Sequence, residues 1–330
     1  MAPGMEVIVA NKLYGGTINL MGKSYQKFGW NAIFVDSENP QAFRQAITKK
    51  TRAIFIESLA NPGGVVMDIE SIAKVANEAG VPLVVDNTMA TPFLCQPMEW
   101  GADLVVHSTT KFLSGQGNAV GGVVIDSGKF TWLENSKFPS LSTPSPEYNG
   151  LTFAETFGDL AFTMYSHAVS LRDLGCSQSP MNAWITLNGI ETLPLRVERH
   201  CSNGLTVAKY LEKHPSVEWV SHAGLESSPY YKLGKKYMPD GTGSVFTFGV
   251  KGGYESGLKM LESVELFSHV ANIGDTRSLI LHPASTTHRQ LTEEQRIAAG
   301  SGPEVIRLSI GIECAEDIIA DLDQALRSLG

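Results

Sequence analysis

The chain has 330 residues, with 26 Lys+Arg against 34 Asp+Glu and a net charge of −8, so it is long enough for two domains or one large one and has no general attraction to nucleic-acid backbones or anionic membranes. Cys95, Cys176, Cys201 and Cys314 have neither a paired nor a metal-ligand spacing, which argues against a disulfide framework and a zinc knuckle. No apolar run is long enough to span a bilayer, and a reducing cytoplasm is the expected compartment.

In chain order, apolar runs at 6–10, 31–35, 52–56, 81–85 and 102–106 alternate with amphipathic stretches at 18–28, 40–47 and 69–79. This alternation predicts an α/β fold in which right-handed crossovers make the strands parallel. In the stretch 69–79, Ile69, Ile72, Ala73, Ala76 and Ala79 share one helical face, Asp68 is placed to cap its start and Gly80 to end it. From 126 to 165 the pattern lapses into Ser, Pro, Thr and aromatics, including Phe138, Tyr148, Phe153, Phe157 and Phe162. So much apolar surface is expected to pack over the site or against another subunit. Helical periodicity resumes over 183–212 as a long connecting element. A smaller α+β unit follows, with strands at 217–220, 244–250 and 305–310 and helices at 254–263, 292–299 and 315–329, Thr292 and Gln295 forming a capping box. The expected division is a large domain, 1–212, with an inserted segment at 127–165, and a small domain, 213–330.

The chemistry gathers where two buried parallel strands would end. Asp86 ends the run 81–85, and the turn Ser108-Thr109-Thr110-Lys111 follows the run 102–106, so an anion and an amine should meet at the carboxyl edge of one sheet. A lysine able to form an imine and a carboxylate able to keep a pyridine nitrogen protonated are what a pyridoxal phosphate enzyme needs. Each residue also has a plainer reading: a solvated lysine for Lys111 and a turn or helix-cap aspartate for Asp86. The hydroxyls of Ser108 and Thr110, with Gly115, Gly117, Gly121 and Gly122 downstream, suit a phosphate and a close backbone approach. Tyr14, in Leu13-Tyr14-Gly15-Gly16-Thr17, fits a ring stacked on a flat cofactor and equally a core tyrosine. Arg307, inside an apolar strand, suits a clamp on a substrate carboxylate or an internal salt bridge. His107, His282 and His288 have mismatched spacings and read as structural, and no metal set is seen.

Six runs carry a further signal: Leu13-Tyr14-Gly15-Gly16-Thr17, Ala60-Asn61-Pro62-Gly63, Val85-Asp86-Asn87-Thr88, Val106-His107-Ser108-Thr109-Thr110-Lys111-Phe112, His282-Pro283-Ala284-Ser285-Thr286-Thr287-His288 and Ile306-Arg307-Leu308-Ser309-Ile310-Gly311. In collinear order over essentially the whole chain, they resemble the Cys/Met-metabolism family of pyridoxal phosphate enzymes. The resemblance implies the aspartate aminotransferase type fold (fold type I), with pyridoxal 5'-phosphate held as a Schiff base on Lys111. It further implies Asp86 at the pyridine nitrogen, Tyr14 on the ring, Ser108 and Thr110 at the phosphate, and Asn61 and Arg307 near the cofactor 3-oxygen and the substrate carboxylate. Within the family, the insertion at 129–157 and the run Val270-Ala271-Asn272-Ile273-Gly274-Asp275 look like O-acetylhomoserine sulfhydrylases, with Asn272 at the substrate where cystathionine synthases and lyases tend to have Ser. Methionine γ-lyases typically have Cys in the position of Gly16. The implied reaction is γ-replacement on O-acetylhomoserine by sulfide or a thiol, in a homo-oligomer, dimer or tetramer. The alternatives are cystathionine γ-synthase or γ-lyase chemistry, or a fold without turnover. Relatives carry a substantial segment before the position of Met1, including phosphate contacts, so the phosphate half of the site is expected to be the weaker half here.

Overall fold

The computed structural model describes residues 2–60, 64–287, 289, 294 and 300–329. The expected alternation forms one six-stranded sheet from β1 (Glu6–Ala10), β2 (Asn31–Val35), β3 (Thr51–Glu57), β4 (Leu83–Asp86), β5 (Leu104–Ser108) and β6 (Gly122–Asp126). Their order is β2-β1-β3-β4-β5-β6. The first five are parallel, whereas β6 runs antiparallel to β5, pairing Ser108 with Gly122. Sequence pattern alone missed β6. Its residues 123–125 are exposed, so they lack the buried-strand context that marks β3 and β4.

The crossover between β3 and β4 shows why the strand ends line up. Ile69, Ile72, Ala73, Val75 and Ala76 of α1 (Ile69–Glu78) are buried, and a fully buried Ile is stabilised by roughly 1.5–3 kcal/mol relative to an exposed one. Asp68 caps the helix, accepting from the Ser71 N–H, and Gly80 leaves it in a left-handed conformation (φ +62°). The helix therefore returns the chain to the start of β4, and in register Glu57 pairs with Asp86, so both strands deliver a carboxylate at the same edge.

The segment 126–165 contributes no lining residue to the cleft described below, among the described residues. Its aromatics pack on one another around Trp132, which stacks on Phe162 with ring centroids 5.5 Å apart. Asn135 Nδ2 and Lys137 Nζ donate to the carbonyls of Gly80 and Ala79 at 3.3 and 2.6 Å. The insertion is thus a satellite core docked on the C-terminus of α1. It does not cover the site.

The long connecting element is two helices, α2 (Pro180–Glu191) and α3 (Leu193–Leu211). Pro194 in the first turn of α3 has no N–H to extend the preceding helix, and the chain restarts at Thr192. Leu193, Val197 and Cys201 of α3 enter the core beneath the first sheet, whereas Val207, Ala208 and Leu211 enter a second core. That second core lies against a five-stranded sheet. In chain order its strands are β7 (Val217–Ser221), β8 (Val245–Val250), β9 (Ser268–His269), β10 (Leu279–Leu281) and β11 (Val305–Ser309), arranged β9-β10-β11-β8-β7. The helices α4 (Gly253–Ser263) and α5 (Ala315–Arg327) pack on it through Met260, Leu261, Ile318 and Leu322. The helix expected over 292–299, with its Thr292–Gln295 box, lies outside the described residues. Among the described residues no helix is long and apolar enough to cross a membrane.

Candidate active site

The carboxyl ends of β3, β4 and β5 open into a cleft of about 280 Å³. It is lined by Glu57, Asp86 and Ser108 at strand ends of the first sheet, by Tyr14 before the short helix Gly15–Asn19, by Thr110 and Lys111 in the turn after β5, and by Asn272 and Arg307 from the second region. All the sequence-derived site residues that fall within the described structure therefore converge. Asn61 lies outside the described residues, as does His288.

Lys111 sits in a helical turn that follows β5, with its N–H donating to the Ser108 carbonyl and its own carbonyl accepting from Gly115 N–H at 2.8 Å. Its Nζ donates to Asn272 Oδ1 at 2.6 Å. Burial, and secondarily the positive charge of Arg307, depress the ammonium below the usual lysine range. A larger fraction of this amine is therefore neutral near physiological pH than for a surface lysine.

Asp86 keeps some surface open to the cleft yet lies deep within it, and burial pushes its carboxyl up from the usual range. Thr88 opposes that shift through its side chain and by donating its N–H to Asp86 Oδ1 at 2.9 Å. The hydroxyl oxygen of Thr88 also accepts the Ser108 N–H at 2.8 Å, so one side chain ties the end of β4 to the start of the lysine turn. Among the described residues Asp86 forms no ion pair, so a cationic ring nitrogen would relieve the cost of its burial.

Arg307 forms no internal salt bridge among the described residues. It is buried on β11, and its Nη2 donates to the Asn272 carbonyl at 3.1 Å. Burial lowers its guanidinium to about 10. Asn272 thus touches both cationic groups, its side chain holding Lys111 and its backbone holding Arg307. The loop reaches this position because Gly274 (φ +72°) lies against the lysine turn, where a Cβ would stand 2.7 Å from the Phe112 nitrogen.

Tyr14 is 53% exposed, which removes the core reading. Its ring lies over Gly16, where a Cβ would be 2.4 Å from Tyr14 Cε1, so the ring occupies the space that a side chain at 16 would need. Thr110 Oγ1 accepts the Gly121 N–H at 3.2 Å and, like Ser108, faces the cleft.

Among the described residues, neither His107 nor His282 lines the cleft. His107 is buried and held near pKa 4 by desolvation, and His282 Nε2 donates to the Pro303 carbonyl at 2.8 Å. Sequence pattern missed Glu57 and Arg196. Glu57 reads as the end of an apolar strand, and the signal that could have marked it is a charge where a buried strand continues. Arg196 reads as one exposed position of a helix, yet it is buried and its Nη1 and Nη2 donate to the carbonyls of Phe112 and Gly189 at 2.9 and 2.6 Å. It fixes the turn that presents Lys111.

Residues 1–327 match the family of Cys/Met metabolism PLP-dependent enzymes. The chain belongs to that family. An O-acetyl-L-homoserine sulfhydrylase of Leptospira meyeri is 48% identical over 99% of this chain and 76% of its own length. A homocysteine synthase of Schizosaccharomyces pombe is 46% identical over 98% of this chain and 76% of its own. Among solved structures, a putative O-acetylhomoserine (thiol)-lyase of Campylobacter jejuni, carrying N'-pyridoxyl-lysine-5'-monophosphate, superposes with a TM-score of 0.95 at 40% identity, covering 99% of this chain and 78% of that one. The fold is accordingly that of the type I pyridoxal phosphate enzymes, and the family's cofactor is pyridoxal 5'-phosphate. The residues present fit that group: a buried carboxylate without a cation partner among the described residues, a desolvated amine, an exposed aromatic ring and two hydroxyls face one cleft.

Proposed function

We propose that this chain catalyses γ-replacement, converting O-acetyl-L-homoserine and sulfide to L-homocysteine and acetate. The observation that carries the proposal is the convergence of Lys111, Asp86 and Arg307 in one cleft with Asn272 between the two cations. Relatives named for that chemistry support it. Bound at Lys111, pyridoxal 5'-phosphate supplies an electron sink next to the substrate's α-carbon.

The chain's own residues would then divide the work. The guanidinium of Arg307, buried and without a carboxylate partner among the described residues, takes the substrate carboxylate in a bidentate grip. That grip fixes the α-carbon beside Lys111. The depressed ammonium of Lys111 lets its Nζ accept the α-proton and return protons along the chain, while acetate departs from the γ-carbon and sulfide takes its place. Asn272 Oδ1 holds the amine between transfers. Asp86 keeps the ring nitrogen protonated, Tyr14 covers the ring, and Ser108 and Thr110 donate to the phosphate. Asn61 takes the place near the cofactor 3-oxygen and the substrate that family resemblance assigns it.

In the same reading the chain comprises a large unit, 1–212, and a small one, 213–330. The two sheets and two cores support this division, with α3 shared between them and residues such as Tyr237 and Met238 packing back on the first. A cytoplasmic homo-oligomer, dimer or tetramer, completes the proposal. The oligomer is supported by Met181, Trp184 and Leu187 of α2, each of which is more than 60% exposed.

The test is product formation by the purified chain with pyridoxal 5'-phosphate and O-acetyl-L-homoserine, offered sulfide, cysteine or no nucleophile. Homocysteine and acetate with sulfide, abolished by Lys111→Ala, is the expected result. Preferential use of cysteine would establish a γ-synthase, oxo-acid release without nucleophile a γ-lyase, and no turnover in any arm would remove the catalytic reading.

A further inference from the structure

Glu57 closes β3 with only 4% of its surface exposed, and it stands in register beside Asp86 on β4. Residues paired in register on neighbouring strands project to the same side of a sheet, so both carboxylates face the cleft that each of them lines. A buried carboxylate needs hydrogen-bond partners to be tolerated. One partner of Glu57 is unusual: its Oε1 accepts the backbone N–H of Tyr14 at 2.7 Å, across 43 residues of sequence.

Tyr14 is the N-cap of the five-residue helix Gly15–Asn19, with φ −52° and ψ 130° and no side-chain cap. In a capping box, a glutamate at the third helical position reaches back to the N-cap N–H. Here that third position is Thr17, and Glu57 makes the equivalent bond from the neighbouring strand. The Tyr14 ring is more than half exposed, so side-chain packing constrains it little, and its place over Gly16 depends on where its backbone is pinned.

We infer that Glu57 is a positioning residue that sets the Tyr14 ring over the cleft by pinning the Tyr14 backbone to β3. The inference rests on the reading of this cleft as the pyridoxal phosphate site. Glu57 acts through Tyr14, so its effect on cofactor binding exists only while the ring is there.

The experiment is a double-mutant cycle on cofactor affinity, measured by titrating pyridoxal 5'-phosphate into Glu57→Ala, Tyr14→Ala and the double variant. Exchange of the peptide containing the Tyr14 amide, followed by mass spectrometry, gives a second readout free of activity. Glu57→Ala should weaken binding about tenfold and remove protection at Tyr14, yet have no further effect in the Tyr14→Ala background. Glu57→Gln, which keeps an acceptor oxygen, should restore both readouts to within about threefold of the parent. Should Glu57→Ala fail to fold, Glu57→Asp shortens the reach by one methylene and should show the same double loss. Equal weakening by Glu57→Ala in both backgrounds, or unchanged exchange at Tyr14, overturns the role of Glu57. An unmodified chain that binds no pyridoxal 5'-phosphate overturns the reading of the cleft, and the inference with it.

Discussion

The bond from Lys111 Nζ to Asn272 Oδ1 places a neutral acceptor beside an amine whose charge is already opposed by burial and by Arg307. A carboxylate in place of that amide would reverse the balance, because an opposite charge within hydrogen-bond reach favours the ammonium by about 1–3 pH units. Asn272→Asp is therefore expected to raise the pH at which Lys111 captures pyridoxal 5'-phosphate. Only the neutral amine attacks a carbonyl, so moving its titration upward by about one pH unit would slow capture at neutral pH about tenfold. Following the rate of the visible absorbance change across neutral to alkaline pH checks this. An unmoved profile would mean that Asn272 does not govern the charge on Lys111. Asn272→Ala removes the acceptor without adding charge and separates tethering from electrostatics.

Between elements, the lysine turn is held from beneath by a helix junction. Arg196 on α3 donates to Phe112 and Leu113 carbonyls on one side and to the Gly189 carbonyl at the end of α2 on the other. Arg196→Met would take this donor from the buried Phe112 and Leu113 carbonyls, each at a cost of about 1–3 kcal/mol. The expected outcome in urea unfolding is a stability lower by about 2–6 kcal/mol in all, and Arg196→Lys should recover little of it because one ammonium cannot reproduce the guanidinium's span over the three carbonyls. A midpoint within error of the parent would show that the turn is held by its own hydrogen bonds. This contact also marks the limit of what sequence conveys. The ends of β3, β4 and β5, the Asp68 cap and the pairing of Asp86 with Lys111 are legible because period, caps and strand ends are local properties. Arg196 and Glu57 are not, because their partners lie 84 and 43 residues away and nothing local distinguishes a buried charge from a solvated one. The satellite core of 126–165 was legible in its aromatic content, but its docking on the C-terminus of α1 was not, since carbonyls at a helix end carry no sequence mark.

Across the whole molecule, three buried histidines couple folding to pH. His107, His200 and His222 are each held near pKa 4 chiefly by desolvation, from an ordinary value of 6.5. For His107 a hydrogen bond to the Asn87 backbone partly opposes the effect of burial. For His200 on α3, its bond to the Ile310 carbonyl at 2.6 Å partly opposes burial, the Arg196 charge opposes protonation further, and Glu313 and Asp275 favour it. His222 pairs with the Gly243 carbonyl at 3.3 Å. The folded chain keeps these rings neutral, whereas the unfolded chain protonates them below 6.5. Their contribution to stability is therefore complete above that value and is lost as pH falls toward 4, at about 2 kcal/mol per ring between pH 7 and 5. Asp86 and Asp103, whose carboxyls burial raises, act in the opposite sense, gaining protons more readily folded than unfolded. Their offset begins only where carboxyl groups titrate, so the histidines set the slope in the upper part of the window. Urea unfolding at pH 7, 6 and 5 should show stability falling steepest below 6.5, and His107→Asn should flatten that slope by about one proton's worth. His107 suits the test because its Nδ1 has no hydrogen-bond partner among the described residues, so the substitution removes a titration while breaking few contacts. A slope unchanged in that variant would place the acid sensitivity in groups other than the buried rings.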